Sequence, residues 1–598
     1  MSRFIRVCLM AALLAPPTRA VAQSGPDKSQ PAAVDLMWGV KIPLRDGTRL
    51  NGTVYLPAAP REPLPVIFTL TPYISDSYHE RAMYFARHGY VFVLVDVRGR
   101  GNSEGSFEPM ANEAKDGHDV VEWLARQPWS NGKVTMWGGS YAGFDQWSTL
   151  KEFPAHLATI VPAAAAHPGV DFPFEGNIFS DYVVQWMTFT SGVTGNTNLF
   201  GEGSFWREKF GRLYDSGYAF TGLDRLVGNP LPNFQKWVSH PMPDAYYDAM
   251  VPDSAAYARI AIPILTITGH YDGDQAGAME YYRRHMRWGT ALAKASHYLV
   301  VGPWDHAGTR TPRREVGGLT FGPASVVDLN ELHKEWYDWT MKGGPKPAFL
   351  KDRVAYYVVG PDAEEWKYAS SLETVTGSRR SFYLSSNGSA GDVYASGVLA
   401  EQAPRGEASA GFDRYVYDPL DTRPGLLERS GGDEGDGLTS QRAALHLFGN
   451  GLVYHTAPFD QAVEVTGYLR LVAWISMDVP DTDFQVSLYE ILPDGSSVLL
   501  TEEMLRARYR RSLRQEELVR PGEVNRYEFS AFPFFSRRVS KGSRLRLLFR
   551  SPNSIELEKN YNAGGVVATE TRKDARTAHI TLHHDAKYPS VLELPIGR

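Results

Sequence analysis

Ser140 stands between glycines, in Trp137-Gly-Gly-Ser-Tyr-Ala-Gly143, directly after the apolar run Val134-Thr-Met-Trp137. A serine used as a nucleophile needs this kind of place. On a tight strand-to-helix turn the backbone is strained and the neighbours must be tiny, and here Gly138, Gly139, Ala142 and Gly143 supply that. The helix would begin in "FDQWSTLKEF". The common motif has glycine two residues after the serine; Ala142 takes that position and Gly143 follows it. A serine hydroxyl at its ordinary pKa is a poor nucleophile. It needs a histidine to accept its proton and a carboxylate to fix that ring and balance its charge. In a fold with such a turn the chain order is serine, acid, histidine. "ILTITGHYDGD" puts Asp272 just past a strand, and "HYLVVGPWDHAG" puts His306 just past the next. Asp274, two residues on, is a rival acid. Asp305 adjoins His306 too closely to face it. His270 and His297 lie in strand bodies and read as structural, and His118 lies on a helix far from the strand ends.

The oxyanion formed by attack needs donors aimed where its charge develops. The backbone N–H of Tyr141 is one. Tyr73, in "TPYISDSY" after an early strand, is the second candidate, with packing of the pocket wall as its alternative role. "DVRGRGNSEG" follows a strand but lacks the spacing of a dinucleotide loop; it reads as structural, with Arg98 in an ion pair. His583-His584 and Asp481 with Asp483 are the rival set, as metal ligands, but they fall on strand turns and no H-E-x-x-H helix accompanies them. No organic cofactor is called for.

These residues need a sheet edge. Apolar strands alternate with helical stretches up to about residue 165: "PVIFTLTPY", then "DSYHERAMYFARHG", then "YVFVLVDVRGRG", then "NEAKDGHDVVEWLARQPW", then "KVTMWGGS". That rhythm means a mostly parallel sheet with helices on both faces. It breaks over 166–257, an aromatic-rich stretch of short helical pieces, and resumes at "IPILTITGHYDGD". The expected organisation is an α/β-hydrolase domain over 37–165 and 258–349, with a helical cap inserted at 166–257. From 350 to 598, short strands between turns predict a jelly-roll β-sandwich.

The 598 residues carry a formal net charge of -6 and no long Lys/Arg block, which argues against a nucleic-acid groove. Arg3 and Arg6 precede an apolar run that ends at Ala20-Val-Ala22, so residues 1–22 read as a secretory signal, too short for a membrane anchor. Residues 23–36 read as a flexible lead-in. Cys8, the only cysteine, would leave with the signal. The mature chain would then have no disulfide, cysteine nucleophile or thiolate ligand. A soluble periplasmic or secreted protein is expected, free to form homo-oligomers through its cap or sandwich surfaces.

Together "TPY" at 71–73, "DVRGRGNSEG", "EWLARQPWSNGKVTMWGGSYAG", "GHYDG" at 269–273, "GPWDH" at 302–306, "DTDF" at 481–484, "PG" at 521–522 and "PSVLELP" carry a family resemblance. The chain resembles the exported serine hydrolases that group cocaine esterase, α-amino-acid ester hydrolases, glutaryl-cephalosporin acylases and X-Pro dipeptidyl-peptidases. The resemblance implies the α/β-hydrolase, cap and jelly-roll arrangement. It also implies Ser140 as nucleophile, Asp272 rather than Asp274 as acid, His306 as base and Tyr73 with the Tyr141 N–H as oxyanion donors. The resemblance is strongest to the branch of amino-acid ester hydrolases and cephalosporin acylases. Its members bind an α-ammonium through a carboxylate cluster, for which Asp145, Asp171, Glu175 and Asp181 are the candidates here. Trp186 and Trp206 are candidates for the acyl pocket. The expected activity is hydrolysis of small esters or amides through an acyl-enzyme, with α-amino-acid or β-lactam side-chain acyl groups as substrates. The alternatives are an X-Pro-type dipeptidyl peptidase, a broad carboxylesterase, or a non-catalytic carbohydrate- or protein-binding module.

Overall fold

Val91–Asp96 is buried at every position, as a β-branched run must be when both faces of its sheet are covered. The computed structural model describes residues 33–361, 363–405, 411–429 and 436–598. The signal-peptide reading lies outside the described residues. Ten strands form the first sheet: β1 (Val34–Pro43), β2 (Arg49–Pro57), β3 (Leu64–Thr71), β4 (Val91–Asp96), β5 (Ser130–Ser140), β6 (Leu157–Ala165), β7 (Ile264–Tyr271), β8 (His297–Asp305), β9 (Val354–Val358) and β10 (Glu365–Ala369). Their order is β1-β2-β4-β3-β5-β6-β7-β8-β9-β10. From β4 to β9 all neighbours are parallel, and the two ends of the sheet are antiparallel.

Side chains alternate across this sheet. Phe68, Val93 and Val95 join Val120, Leu124, Phe144 and Trp147 of the helices Glu113–Ala125 and Tyr141–Leu150. Ile67, Phe92 and Leu94 face the other way, toward Phe85, Trp336 and Tyr337 of the helices His79–Arg87 and Leu329–Lys342. Because β5, β7 and β8 run parallel, the residues that follow them emerge at one edge.

Two expected boundaries move. The lead-in to residue 36 ends earlier, because β1 starts at Val34 and pairs with Pro57. The all-β region does not begin at 350: β9 pairs with β8 through Leu299 and Val354, so β9 and β10 extend the first sheet. A short strand with no helix after it does not say which sheet it joins. The 13-stranded second sheet runs from Thr376–Ser385 to Val591–Gly597.

Residues 166–257 include the helices Tyr182–Thr190, Gly203–Ser216 and Pro232–Val238, whose buried aromatics share a core with the helix Tyr141–Leu150. They also bond to the β domain, Asn177 Nδ2 donating to Leu513 O (2.7 Å) and Glu558 N to Phe179 O (2.8 Å). No helix among the described residues is long and apolar enough to cross a membrane.

Asp481 and Asp483, the rival metal ligands, are engaged otherwise. Arg506 donates to both oxygens of Asp483 (2.9 and 3.1 Å) and to Glu558 (2.8 Å). Arg508 donates to Asp481 (2.9 Å), and Asn560 bridges the two aspartates. His583 bonds Ser476, and His584 bonds Asp413. Arg506 is buried between two buried acids, so removing it strands their charges. Arg506→Ala is expected to cost about 3–5 kcal/mol of stability, measured by denaturant unfolding; a loss below about 1 kcal/mol would contradict this account of the cluster.

Candidate active site

Ser140 closes β5 and precedes the helix Tyr141–Leu150 with φ 62° and ψ -124°, a conformation that L-residues rarely hold. Its neighbours are small because nothing else fits. A Cβ on Gly138 would lie 2.5 Å from Ala142 Cβ, and one on Gly143 would lie 2.7 Å from Ala163 O. Tyr141 is the first helical residue, so its backbone N–H has no acceptor inside the helix and is free to bind an anion.

His306 Nδ1–H donates to Asp272 Oδ1 (2.8 Å). That bond fixes the tautomer and leaves Nε2 as the basic nitrogen. Asp272 is buried and also accepts from Thr268 Oγ1 (2.8 Å) and Asp274 N (3.0 Å). Burial opposes its charge, but these bonds prevail and hold its carboxyl below the usual range. Asp274 is placed differently. Its Oδ2 accepts from Ser140 Oγ (3.4 Å) and lies 3.8 Å from His306 Nδ1. Burial and the charge of Asp272 push it up to about 6, against the pull of His306. His306 is raised above an ordinary histidine: burial works against the charged ring, but Asp274 and Asp272 outweigh it.

The rival histidines His270 and His297 and the rival acid Asp305 make other contacts. His270 bonds Tyr357 O (2.6 Å), and His297 bonds His285 (2.8 Å) and Thr266 (2.9 Å). Asp305 accepts from Gly308 N and pairs with Arg313. Arg98 pairs with Asp116 and Asp46, the ion pairing its loop predicts.

Ser140, Tyr73, Tyr141, Asp274 and His306 line one cavity of about 430 Å³. Three carboxylates border it: Asp274, Asp171 and the solvent-exposed Glu175. No lysine or arginine is among the described lining residues. Asp171 is held in place by His167 N (2.8 Å) and Gly277 N (2.6 Å), and burial together with the charge of Asp274 raises its pKa.

Trp186 does line the cavity, and its Nε1–H donates to the Tyr73 hydroxyl oxygen (3.0 Å). Two expected pocket residues do not. Trp206 is 2% exposed, donates to Leu199 O (2.8 Å) and packs on Phe205 and Phe210, because its helix turns that face to the core. Asp145 is fully buried in the helix behind Ser140, where burial and the charge of Glu113 raise its pKa well above the usual carboxylate range. Asp181 is also buried away from this cavity, beside a small void near Lys559. Three contributors had no sequence signal. Met504 and Leu557 reach the cavity from the β domain. Glu113 accepts from the Tyr141 hydroxyl (2.5 Å), which in turn accepts from Met110 N (2.6 Å).

Residues 46–308 match the X-Pro dipeptidyl-peptidase (S15 family) domain, and residues 339–593 match the X-Pro dipeptidyl-peptidase C-terminal non-catalytic domain. Cocaine esterase of a Rhodococcus species is 28% identical over 587 residues, 93% of this chain and 98% of that one. A solved α-amino acid ester hydrolase superposes with a TM-score of 0.79 at 21% identity, over 96% of this chain and 98% of its own. An aminopeptidase from a marine-sediment Thaumarchaeota archaeon gives 0.79 at 20% identity, over 97% and 99%. At these identities the superpositions establish the fold, an α/β-hydrolase with a C-terminal all-β domain.

Proposed function

We propose that this chain, which belongs to the S15 family of serine hydrolases, cleaves small-molecule esters or amides of α-amino acids through an acyl-enzyme on Ser140. His306 Nε2 takes the Ser140 proton as Oγ attacks the carbonyl carbon. The Tyr141 N–H and the Tyr73 hydroxyl hold the oxyanion. His306 then gives the proton to the leaving group, and Asp272 balances the ring's charge throughout. Water repeats the sequence in reverse roles and frees the acid; an amine in its place would give acyl transfer, the acylase side of the same chemistry.

The observation that carries the substrate class is the set of acids that border the cavity. Asp274, Asp171 and Glu175 share it with Ser140, with no lysine or arginine among the described lining residues. An α-ammonium on the acyl group would pair with these acids next to the carbonyl and favour their ionised forms. The C-terminal β domain, read as a jelly roll, closes the cavity with Met504 and Leu557. The sequence of residues 1–22, read as a secretory signal, favours action in the periplasm or outside the cell.

The test is a panel of matched p-nitrophenyl esters with and without the α-amino group. The amino ester is expected to exceed its des-amino counterpart in kcat/KM by about thirtyfold, the worth of a charge-assisted hydrogen bond between the ammonium and these acids (~2 kcal/mol). Equal values would overturn the α-amino reading and favour a broad carboxylesterase. A marked preference for X-Pro amides over amino esters would move the function to a dipeptidyl peptidase.

A further inference from the structure

A phenol oxygen carries one proton and two lone pairs. At Tyr73 one lone pair is already taken, because Trp186 Nε1–H donates to it at 3.0 Å. The Tyr73 ring is held on two sides, stacked on Phe189 (centroids 5.9 Å apart, 17°) and edge-on to Tyr141 (6.4 Å, 73°). Trp186 is itself stacked on Tyr141 (5.8 Å, 20°) and on Trp237 (6.2 Å, 12°). With the ring fixed and one lone pair occupied, the Tyr73 proton is turned away from the indole, toward the space beside Ser140.

The helix that carries Trp186, Tyr182–Thr190, is tied to the Tyr73 loop by a second group. Arg100, 0% exposed, donates to Pro72 O (2.8 Å), the carbonyl just before Tyr73. The same guanidinium donates to Phe189 O (3.4 Å), Ser191 O (3.2 Å) and Thr194 O (3.2 Å), and to Gly192 O, at the end of that helix. The indole and the phenol are therefore held in register by one buried cation.

We infer that Trp186 is a positioning residue for the reaction: its indole N–H aims the Tyr73 hydroxyl at the oxyanion, so the inserted helix completes the oxyanion hole. This rests on the reading of Tyr73 as an oxyanion donor. A donated bond also polarises the phenol and makes its own O–H a better donor. The role is distinct from walling the acyl pocket, which would act on binding rather than on turnover.

The test uses the full chain and a p-nitrophenyl amino-acid ester. Tyr73→Phe is expected to lower kcat by roughly 10²- to 10³-fold. Trp186→Phe is expected to lower kcat by about tenfold, the cost of misaiming a donor rather than deleting it, with KM within about threefold. In the Tyr73→Phe background, Trp186→Phe should lower kcat no further. Because phenylalanine also changes the pocket's shape, a second variant places benzothienylalanine at position 186. It keeps the two-ring shape and lacks only the N–H, and it should lose the same factor in kcat. Equal kcat losses from Trp186→Phe in both backgrounds, a loss confined to KM, or a benzothienyl variant with unaltered kcat would each overturn the role of Trp186 while leaving Tyr73 as donor. An unaltered kcat in Tyr73→Phe would overturn the reading of Tyr73 itself, and the inference with it.

Discussion

Ser140→Ala is expected to lower kcat by about a millionfold on an activated ester while the fold stays intact. Alanine keeps the Cβ that the strained turn already accommodates at φ 62°, so nothing new is forced into the turn. What is lost is the atom that forms the acyl bond. The Tyr141 N–H and Tyr73 remain, so a residue of roughly 10³- to 10⁴-fold catalysis over water should survive. Steady-state rates at high enzyme concentration would measure it, alongside a thermal melt to show that both proteins fold. A fall of only a few-fold would assign the chemistry to another nucleophile.

The two aspartates that follow β7 are expected to part company. Asp272→Asn should lower kcat by about 10⁴-fold, because an amide cannot hold the Nδ1–H tautomer of His306 or balance its charge. Asp274→Asn should leave turnover substantial and move its pH dependence. His306 must be neutral to act as a base, and the negative charge of Asp274, 3.8 Å away, favours the protonated ring. In the unaltered chain the acid limb of kcat/KM should therefore lie above the usual histidine value. Removing the charge of Asp274 should move that limb to lower pH by about one unit. Asp274→Asn should also shrink the preference for α-amino esters. Profiles from about pH 5 to about pH 9 span the limb. A 10⁴-fold loss in Asp274→Asn with mild effects in Asp272→Asn would exchange the roles of the two acids.

The site was readable to the extent that parallel strands make it so. β5 ends on Ser140, and β7 and β8 deliver the residues after them to the same edge, so Ser140, Asp272 and His306 could be collected from strand ends alone. Spacing left Asp272 and Asp274 open, because both follow β7; what separates them is Thr268, His306 and the cavity, none adjacent in sequence. Asp145 and Trp206 misled for different reasons. The helix Tyr141–Leu150 is buried at all ten positions, so no polar face distinguishes an acid that reaches a pocket from one shut in the core. An aromatic in the inserted stretch has no partner pattern to show which side it turns. Met504 and Leu557 lie hundreds of residues beyond Ser140 and carry no mark of the pocket they close. The bond from Trp186 to Tyr73 joins the insertion to the sheet edge, and nothing local to either residue encodes it.

The central claim is that Ser140 is the nucleophile that His306 activates. Its most direct test is stoichiometric labelling with a fluorophosphonate, followed by intact mass and peptide mapping. The result expected is one adduct per chain, on the peptide containing Ser140, with activity lost in proportion to label, no adduct in Ser140→Ala and markedly slower labelling in His306→Ala. An active preparation that takes up no label at Ser140, or that is inactivated by an adduct elsewhere, would contradict it.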